Sequence, residues 1–143
     1  MTLDELKSKY ARLLRSAWFE HRDGWADILD AYFAVIDHIL PPNGTYEVRQ
    51  IKEKMGTLRI YDSVSGAASE IGKVIEDARE LAEARSLYTC EHCGQPGILR
   101  NPSGLLHDNM RRACALRRPD GGAARSACRS LYRRERGQKL API

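Results

Sequence analysis

The sequence predicts an α+β fold: an N-terminal helical hairpin, then a central β-hairpin and helix, and a C-terminal zinc-ribbon or treble-clef-like module with basic helices. Three observations lead to this prediction. Apolar residues recur at helical spacing over the first 40 positions, two β-prone runs flank Gly56, and a Cys-x-x-Cys-Gly unit begins at Cys90. We therefore divide the chain into a helical and β-hairpin body (1–87), a zinc-binding basic module (88–136) and a flexible tail (137–143).

Two amphipathic helices are predicted before the Pro41-Pro42 pair. The first begins at a capping box formed by Thr2 and Glu5 and continues at helical spacing to Trp18. The second begins near Asp23 and ends at the prolines, because proline cannot donate a backbone hydrogen bond. We expect His21 and His38 on the surface or at helix caps. The solvated face of the second helix is expected to carry Asp27, Asp30 and Asp37.

A β-hairpin is predicted next, with Gly56 supplying the positive φ of its connection. Its strands are built on Tyr46, Val48 and Ile51 and on Leu58, Ile60 and Tyr61. The irregular spacing from Val48 to Ile51 predicts a β-bulge. A third helix, capped by Ser63 or Ser65, then leads to Cys90.

The stretch Tyr88–Gly97, YTCEHCGQPG, contains half of a zinc site. The two-residue spacer of a Cys-x-x-Cys unit lets both thiolates face one ion, and the following glycine tolerates a left-handed turn. Cys90 and Cys93 are therefore predicted ligands, with Cys114, twenty-one positions after Cys93, as the third. Closed thiolate coordination implies that the zinc is structural.

The fourth zinc ligand is displaced, because Arg117 stands where a second Cys or His is usual. Cys128 is the preferred candidate, since it converges on Cys114 if the two C-terminal helices form a hairpin. His107 is the alternative, whereas His92 is disfavoured because its side chain points away from an ion held by its neighbours. Three-coordinate binding, completion by water, the absence of any bound metal, and a Cys128 that is only a small core residue stay open.

The segment between the two cysteine pairs is predicted to form a short hairpin around Asn101–Gly104, with strands at 98–100 and 104–106. A short helix is expected over 108–118, and a last, very basic helix over 123–136. Both helices lie in the part of the chain that holds the predicted downstream ligands.

Charge is divided unevenly between the body and the C-terminal third. Residues 1–99 carry twelve Lys or Arg and sixteen Asp or Glu, a net −4, whereas residues 100–143 carry eleven and three, a net +8. Arginine fills nearly all of these basic positions, which suits bidentate contact with phosphate or with an acidic protein surface. Lys52, Lys54 and Arg59 extend the basic surface onto the central hairpin. The predicted nucleic-acid or partner-binding residues are Arg111, Arg112, Arg117, Arg118, Arg125, Arg129, Arg133, Arg134 and Arg136.

No catalytic residue is predicted, and no small-molecule substrate is expected. The chain contains no phosphate-binding loop, nucleophile elbow or zinc-protease motif. The stretch LLHDNMRR places His107 and Asn109 as in a truncated His-Asn-His nuclease site, but no second histidine follows. The N-terminal segment lacks a long apolar run, so we expect neither a signal peptide nor a membrane span and place the protein in the cytoplasm.

Three motifs together resemble an uncharacterised family of small phage- and prophage-encoded proteins. They are the Gly24-Trp25 helix start, the QIKEKMGTLRIY stretch at 50–61 and the CEHCGQPG stretch at 90–97. Met55 replaces the aromatic residue typical of the family, and Arg117 replaces the last ligand of its zinc-like module. The resemblance implies a mobile-element context in a bacterial host and transfers no activity.

Two functions from different classes follow from these observations. The first is a zinc-stabilised accessory protein that binds nucleic acid through the arginine-rich C-terminal face. The second is an inhibitor that binds a nucleic-acid-handling host complex, such as a CRISPR-type defence system, by protein–protein contact. A degenerate zinc-containing nuclease is the least favoured reading.

Overall fold

The computed structural model describes residues 1–100 and 111–114. Within these ranges the chain forms three α-helices, a three-stranded sheet and a separate two-stranded sheet, so the α+β prediction is confirmed. The elements in chain order are α1 (Leu3–Lys9), β1 (Trp18–Glu20), a 3-10 turn (Asp23–Trp25), α2 (Ala26–Ile39), β2 (Thr45–Lys54), β3 (Thr57–Ser65), α3 (Ser69–Ser86), β4 (Gly97–Arg100) and β5 (Arg111–Cys114).

The predicted first helix is too long. Its capping box forms as expected: the Glu5 N–H donates to the Thr2 hydroxyl oxygen, and the Thr2 N–H donates to the Glu5 carboxylate. The helix nevertheless ends at Lys9, and turns carry the chain onward to β1. Leu13 and Leu14 are buried, as their spacing predicts, but they reach the core from these turns.

Strand β1 was not predicted from the sequence. It pairs in parallel with β2, with Trp18 opposite Gln50 and Glu20 opposite Lys52. Parallel strands need a crossover connection, and α2 lies in the segment that joins these two. The resulting sheet has the order β1-β2-β3.

The central hairpin matches its prediction closely. Strands β2 and β3 pair in antiparallel fashion, and the register shifts between Val48 and Gln50, which confirms the bulge. Met55 and Gly56 form the connection with φ values of 54° and 76°. Because glycine adopts positive φ without steric cost, Gly56 performs the role expected of it.

Helices α2 and α3 supply the apolar side chains that cover one face of the sheet. Phe33 and Ile36 from α2 and Ile75 from α3 belong to the same buried cluster as Ile51 and Ile60 from the strands. Helix α3 begins later than predicted, with Ala68 as its N-cap, because β3 continues through both predicted capping serines. No helix in the described ranges is long and apolar enough to cross a membrane.

The aspartates of α2 have a role that the sequence reading did not assign. Asp30 pairs with Lys9 at 2.7 Å, Asp37 pairs with Arg12 at 2.8 Å, and Asp27 lies 3.3 Å from the N-terminal ammonium group. These pairs hold the N-terminal segment along α2, so this face is not simply solvated. Each pair is partly or largely exposed and contributes little to stability by itself.

A buried polar network joins the sheet to both long helices. The Asp62 side chain in β3 is 2% exposed and accepts hydrogen bonds from Tyr32 (2.6 Å), Tyr46 (2.9 Å) and Arg79 (2.6 Å). Burial and the neighbouring carboxylate raise the pKa of Tyr32, and burial also raises that of Tyr46, so both phenols keep their protons. One carboxylate therefore connects α2, β2, β3 and α3.

Candidate metal centre

The Cys-x-x-Cys unit lies on a tight loop, here called the knuckle (Tyr88–Gly97). The Gly97 N–H donates to the Tyr88 carbonyl at 2.8 Å, and the Cys90 N–H donates to the Gln95 carbonyl at 2.8 Å. The Gly94 N–H closes the turn on the Cys90 carbonyl at 3.0 Å, and Gly94 has a φ of 72°. The glycine after the second cysteine thus adopts the left-handed conformation that the motif predicts.

The Gly24 backbone forms the seat on which the knuckle rests. The Gly24 N–H donates to the Glu91 carbonyl at 2.8 Å. A Cβ added at Gly24 would lie 2.2 Å from the Cys90 carbonyl oxygen and 2.5 Å from the Glu91 carbonyl carbon. Only glycine allows this approach without moving backbone, which gives the Gly-Trp motif a physical explanation.

Two further side chains, Trp25 and Ser86, fix the knuckle and the helix end that precedes it. Trp25 is fully buried, and its indole Nε1 donates to the Thr89 carbonyl at 3.0 Å. Ser86, at the end of α3, accepts from the Leu58 N–H at 2.9 Å and donates to the Glu83 carbonyl at 2.6 Å. Trp25 therefore anchors the knuckle to the start of α2. The helix that precedes the knuckle, α3, is in turn hydrogen-bonded to β3 at its C-terminal end.

The backbone brings three of the four predicted zinc ligands to the knuckle and the strand pair that follows it. Cys90 is fully buried and Cys93 is partly exposed. Strands β4 and β5 pair with Cys114 opposite Gly97. A Cβ on Gly97 would lie 2.6 Å from the Cys90 backbone nitrogen, so the residue opposite Cys114 packs directly on Cys90. Directly opposed residues have Cα atoms about 5 Å apart, which places the Cys114 backbone beside the knuckle.

Comparison of the chain with protein-family models, curated proteins and solved structures finds no match. Among residues 1–99, whose side chains the structure describes, no group of three or more His, Cys, Asp and Glu side chains is arranged to hold a metal ion. The cysteine pair Cys90 and Cys93 nevertheless has the donor chemistry of one half of a structural zinc site.

The remaining predicted ligands and most of the predicted arginines lie outside the described residues. These are Cys128, His107, Arg117, Arg118, Arg125, Arg129, Arg133, Arg134 and Arg136. Arg111 and Arg112 lie on β5. The helix expected over 108–118 is wrong for 111–114, where the backbone pairs with β4. The predicted strand at 104–106 lies outside the described residues, and the segment shown to pair with 97–100 is 111–114.

The two residues between the cysteines are both buried. The His92 Nε2 lies 3.3 Å from the Glu91 Oε1, and both side chains are less than one-tenth exposed. His92 therefore contacts a carboxylate next to it in sequence.

A polar cleft of about 290 Å³ lies beside the knuckle. His21, expected on the surface, is instead 8% exposed, with its ring 5.7 Å from that of Phe19 and 5.8 Å from that of Trp25. Burial lowers the pKa of His21, which favours the neutral imidazole. Its Nδ1 lies 2.9 Å from the Arg22 carbonyl, an acceptor, so the proton is assigned to Nδ1. The cleft is lined by Phe19, Glu20, His21, Arg22, Glu53 and Glu91.

Proposed function

We propose that this protein is a non-enzymatic accessory factor that binds nucleic acid through its arginine-rich C-terminal third and is stabilised by a structural zinc ion. The observation that carries the zinc part is the register of β4 and β5, which sets Cys114 opposite Gly97 and therefore next to Cys90. A knuckle followed by two paired strands, the second of which ends at a third cysteine, supports the proposal of a treble-clef-like module. The proposed context is a phage or another mobile element in the bacterial cytoplasm.

Zinc in this module would act as a structural cross-link. Cys90, Cys93, Cys114 and Cys128 would form a closed thiolate set, which leaves no open position for a substrate. Cys90 is fully buried and its carbonyl oxygen packs against the Gly24 backbone, a position that suits a structural ligand. Zinc bound there would tie the basic third of the chain to the acidic body.

Elemental analysis tests the zinc proposal. We expect about one zinc ion per wild-type chain and loss of that ion in Cys128→Ser, since three thiolates bind zinc more weakly than four. His107→Ala should keep the metal, as should the matched control His38→Ala, whose side chain is exposed on α2. Far-UV circular dichroism of each variant checks that the body remains folded.

Two outcomes would contradict the assigned ligands. Full zinc content in Cys128→Ser, together with loss of zinc in His107→Ala, would make His107 the fourth ligand. Wild-type protein that binds no zinc after incubation with excess ion and desalting would exclude the site altogether.

The nucleic-acid part of the proposal rests on charge. The C-terminal segment 100–143 carries a net +8 against −4 for residues 1–99, and most of its cations are arginines. Phosphate contacts of this kind release condensed counterions on binding. Nothing in the sequence indicates that bases are read in a duplex, so the expected binding is independent of sequence.

A salt series tests this part. Fluorescence anisotropy with a random-sequence duplex should show an affinity that falls linearly in log–log form as salt rises, with a slope of about −0.9 per phosphate contact. Replacing the C-terminal stripe by glutamine should make the slope shallower by about 3 to 4. That stripe is Arg125, Arg129, Arg133 and Arg136. The matched control is Arg15→Gln with Arg85→Gln, two exposed arginines of the body.

No duplex binding at low salt would contradict this function and direct attention to the second candidate, inhibition of a host complex by protein contact. One observation favours that alternative. Val74 and Leu81 are 43% and 62% exposed on α3 at a seven-residue spacing, with Asp77 and Glu80 beside them. An affinity capture from bacterial lysate that is abolished by Leu81→Glu, but not by Arg15→Glu at an exposed position outside α3, would support it.

A further inference from the structure

The outer face of the three-stranded sheet presents two exposed aromatic rings in one row. Trp18 lies opposite Gln50, and Gln50 lies opposite Tyr61. Trp18 is 64% exposed and Tyr61 is 40% exposed. Because neighbouring strands are about 4.8 Å apart, roughly 10 Å separates the two aromatic residues, with Gln50 between them. The helices pack on the opposite face, where Phe19 and Ile51 point into the core.

Basic side chains surround this aromatic row. Lys52 and Arg59 face each other across β2 and β3 in the next row, and the Lys52 Nζ lies 4.9 Å from the centre of the Tyr61 ring. Arg49 and Lys54 are exposed at the bulge and at the end of β2. Among the described residues, Arg49, Lys52 and Lys54 form no ion pair. The face is therefore positively charged as well as aromatic.

The acidic residues of this face do not cancel its charge. Glu20 and Glu47 stand against four cations, and the Glu20 carboxylate accepts a hydrogen bond from the Trp18 Nε1 at 2.9 Å. Arg59 pairs with Glu83 at 2.8 Å, which holds its guanidinium at the edge of the sheet. Three cations remain available to an anionic ligand.

We propose that this sheet face binds single-stranded nucleic acid, with bases stacking on Trp18 and Tyr61 and phosphates contacting Arg49, Lys52 and Lys54. A surface that combines exposed rings with cations outside ion pairs can bind unpaired bases regardless of sequence, because every base has a π-face. In a duplex the π-faces of the bases are stacked on one another, so a duplex would contact only the cations of this surface. The surface is a poor match for a protein partner, because its two rings are separated by polar and charged side chains and do not form a continuous apolar patch.

This inference goes beyond the proposed function, since the surface belongs to the body and not to the C-terminal arginines. It also requires a different ligand, an unpaired strand in place of a duplex. The two proposals can therefore fail separately.

Fluorescence anisotropy on the full chain tests the sheet face, with a labelled oligothymidylate of about 20 nucleotides and a duplex of equal length. We expect Trp18→Ala and Tyr61→Ala each to weaken single-strand binding by about 10-fold, the loss of one stacked base, and to leave duplex binding unchanged. Tyr88→Ala is the matched control, because Tyr88 is 75% exposed but lies outside the sheet. Lys52→Ala should reduce the single-strand salt slope by about 0.7.

Intrinsic fluorescence gives an independent measurement. Base stacking on Trp18 should quench its emission, and the quenching should persist in the variant that lacks the C-terminal arginine stripe. Single-strand affinity equal to wild type in the Trp18→Ala, Tyr61→Ala double variant would overturn the inference while leaving the proposed function intact. An absence of quenching at saturating oligothymidylate would overturn it as well.

Discussion

Replacing Asp62 by alanine is expected to lower the free energy of unfolding by about 3 to 5 kcal/mol, because one partner of a buried charge network is removed. The substitution leaves the phenol groups of Tyr32 and Tyr46 without their carboxylate acceptor in the core. It also leaves the guanidinium of Arg79, which is 29% exposed, without its closer counterion, so that only Glu76 at 3.9 Å remains. Urea denaturation followed by circular dichroism measures the effect.

The matched control is Asp37→Ala. Asp37 also pairs with an arginine, at 2.8 Å from Arg12, but the Arg12 side chain is 52% exposed and the Asp37 side chain 47%. Exposed pairs contribute about 0 to 1 kcal/mol, so this variant should stay within about 1 kcal/mol of wild type. Equal effects of the two substitutions would show that burial of the Asp62 network does not stabilise the fold as argued.

The second large effect is expected at Gly24. In Gly24→Ala the new Cβ would meet the Cys90 carbonyl oxygen at 2.2 Å, and backbone on one side must move. Overpacking of this kind costs about 1 to 3 kcal/mol and occasionally more, and we expect about 3 kcal/mol here because the obstructing atoms are backbone. Displacing the knuckle should also expose the buried thiol of Cys90 to alkylating reagents.

Gly72→Ala provides the control of opposite sign. Gly72 lies within α3, and a Cβ at this position meets nothing within 4 Å. Alanine should therefore stabilise the helix by about 0.5 to 1 kcal/mol. Thermal denaturation and thiol alkylation of both variants test the pair of predictions, and a stable Gly24→Ala protein with a protected Cys90 would exclude the proposed seat.

The central hairpin could be predicted because its determinants are local. The β-branched and aromatic runs, Gly56 and the irregular spacing around Val48 all lie within about 20 residues, and each has one structural meaning. The capping box at Thr2 is local in the same sense. These features needed no knowledge of the rest of the chain.

The N-terminal segment misled the prediction because its apolar spacing suits two structures. Leu13 and Leu14 face the core whether the backbone is helical or turned, so periodicity cannot tell where α1 ends. Strand β1 is only three residues long, and its partner lies more than 30 positions away in β2. Parallel pairing over that distance leaves no signal in a local window.

The candidate site could be predicted only in part, for the same reason. The Cys90 and Cys93 pair and the left-handed Gly94 follow from the motif. The seat at Gly24 does not, because it is defined by a contact between residues 67 positions apart. The burial of His21 likewise depends on Phe19 and Trp25, which close around it only in the folded chain.

The contrast between the two tryptophans has a practical consequence. The chain contains only Trp18 and Trp25, and they are 64% and 0% exposed. A soluble quencher such as acrylamide should therefore reach the first and spare the second. In Trp18→Phe the remaining tryptophan is Trp25, whose indole N–H donates to the Thr89 carbonyl. Its emission should therefore change when the knuckle detaches. In Trp25→Phe the emission comes from Trp18 and reports ligand binding on the sheet surface. The two tryptophans therefore allow the knuckle and the sheet face to be followed separately.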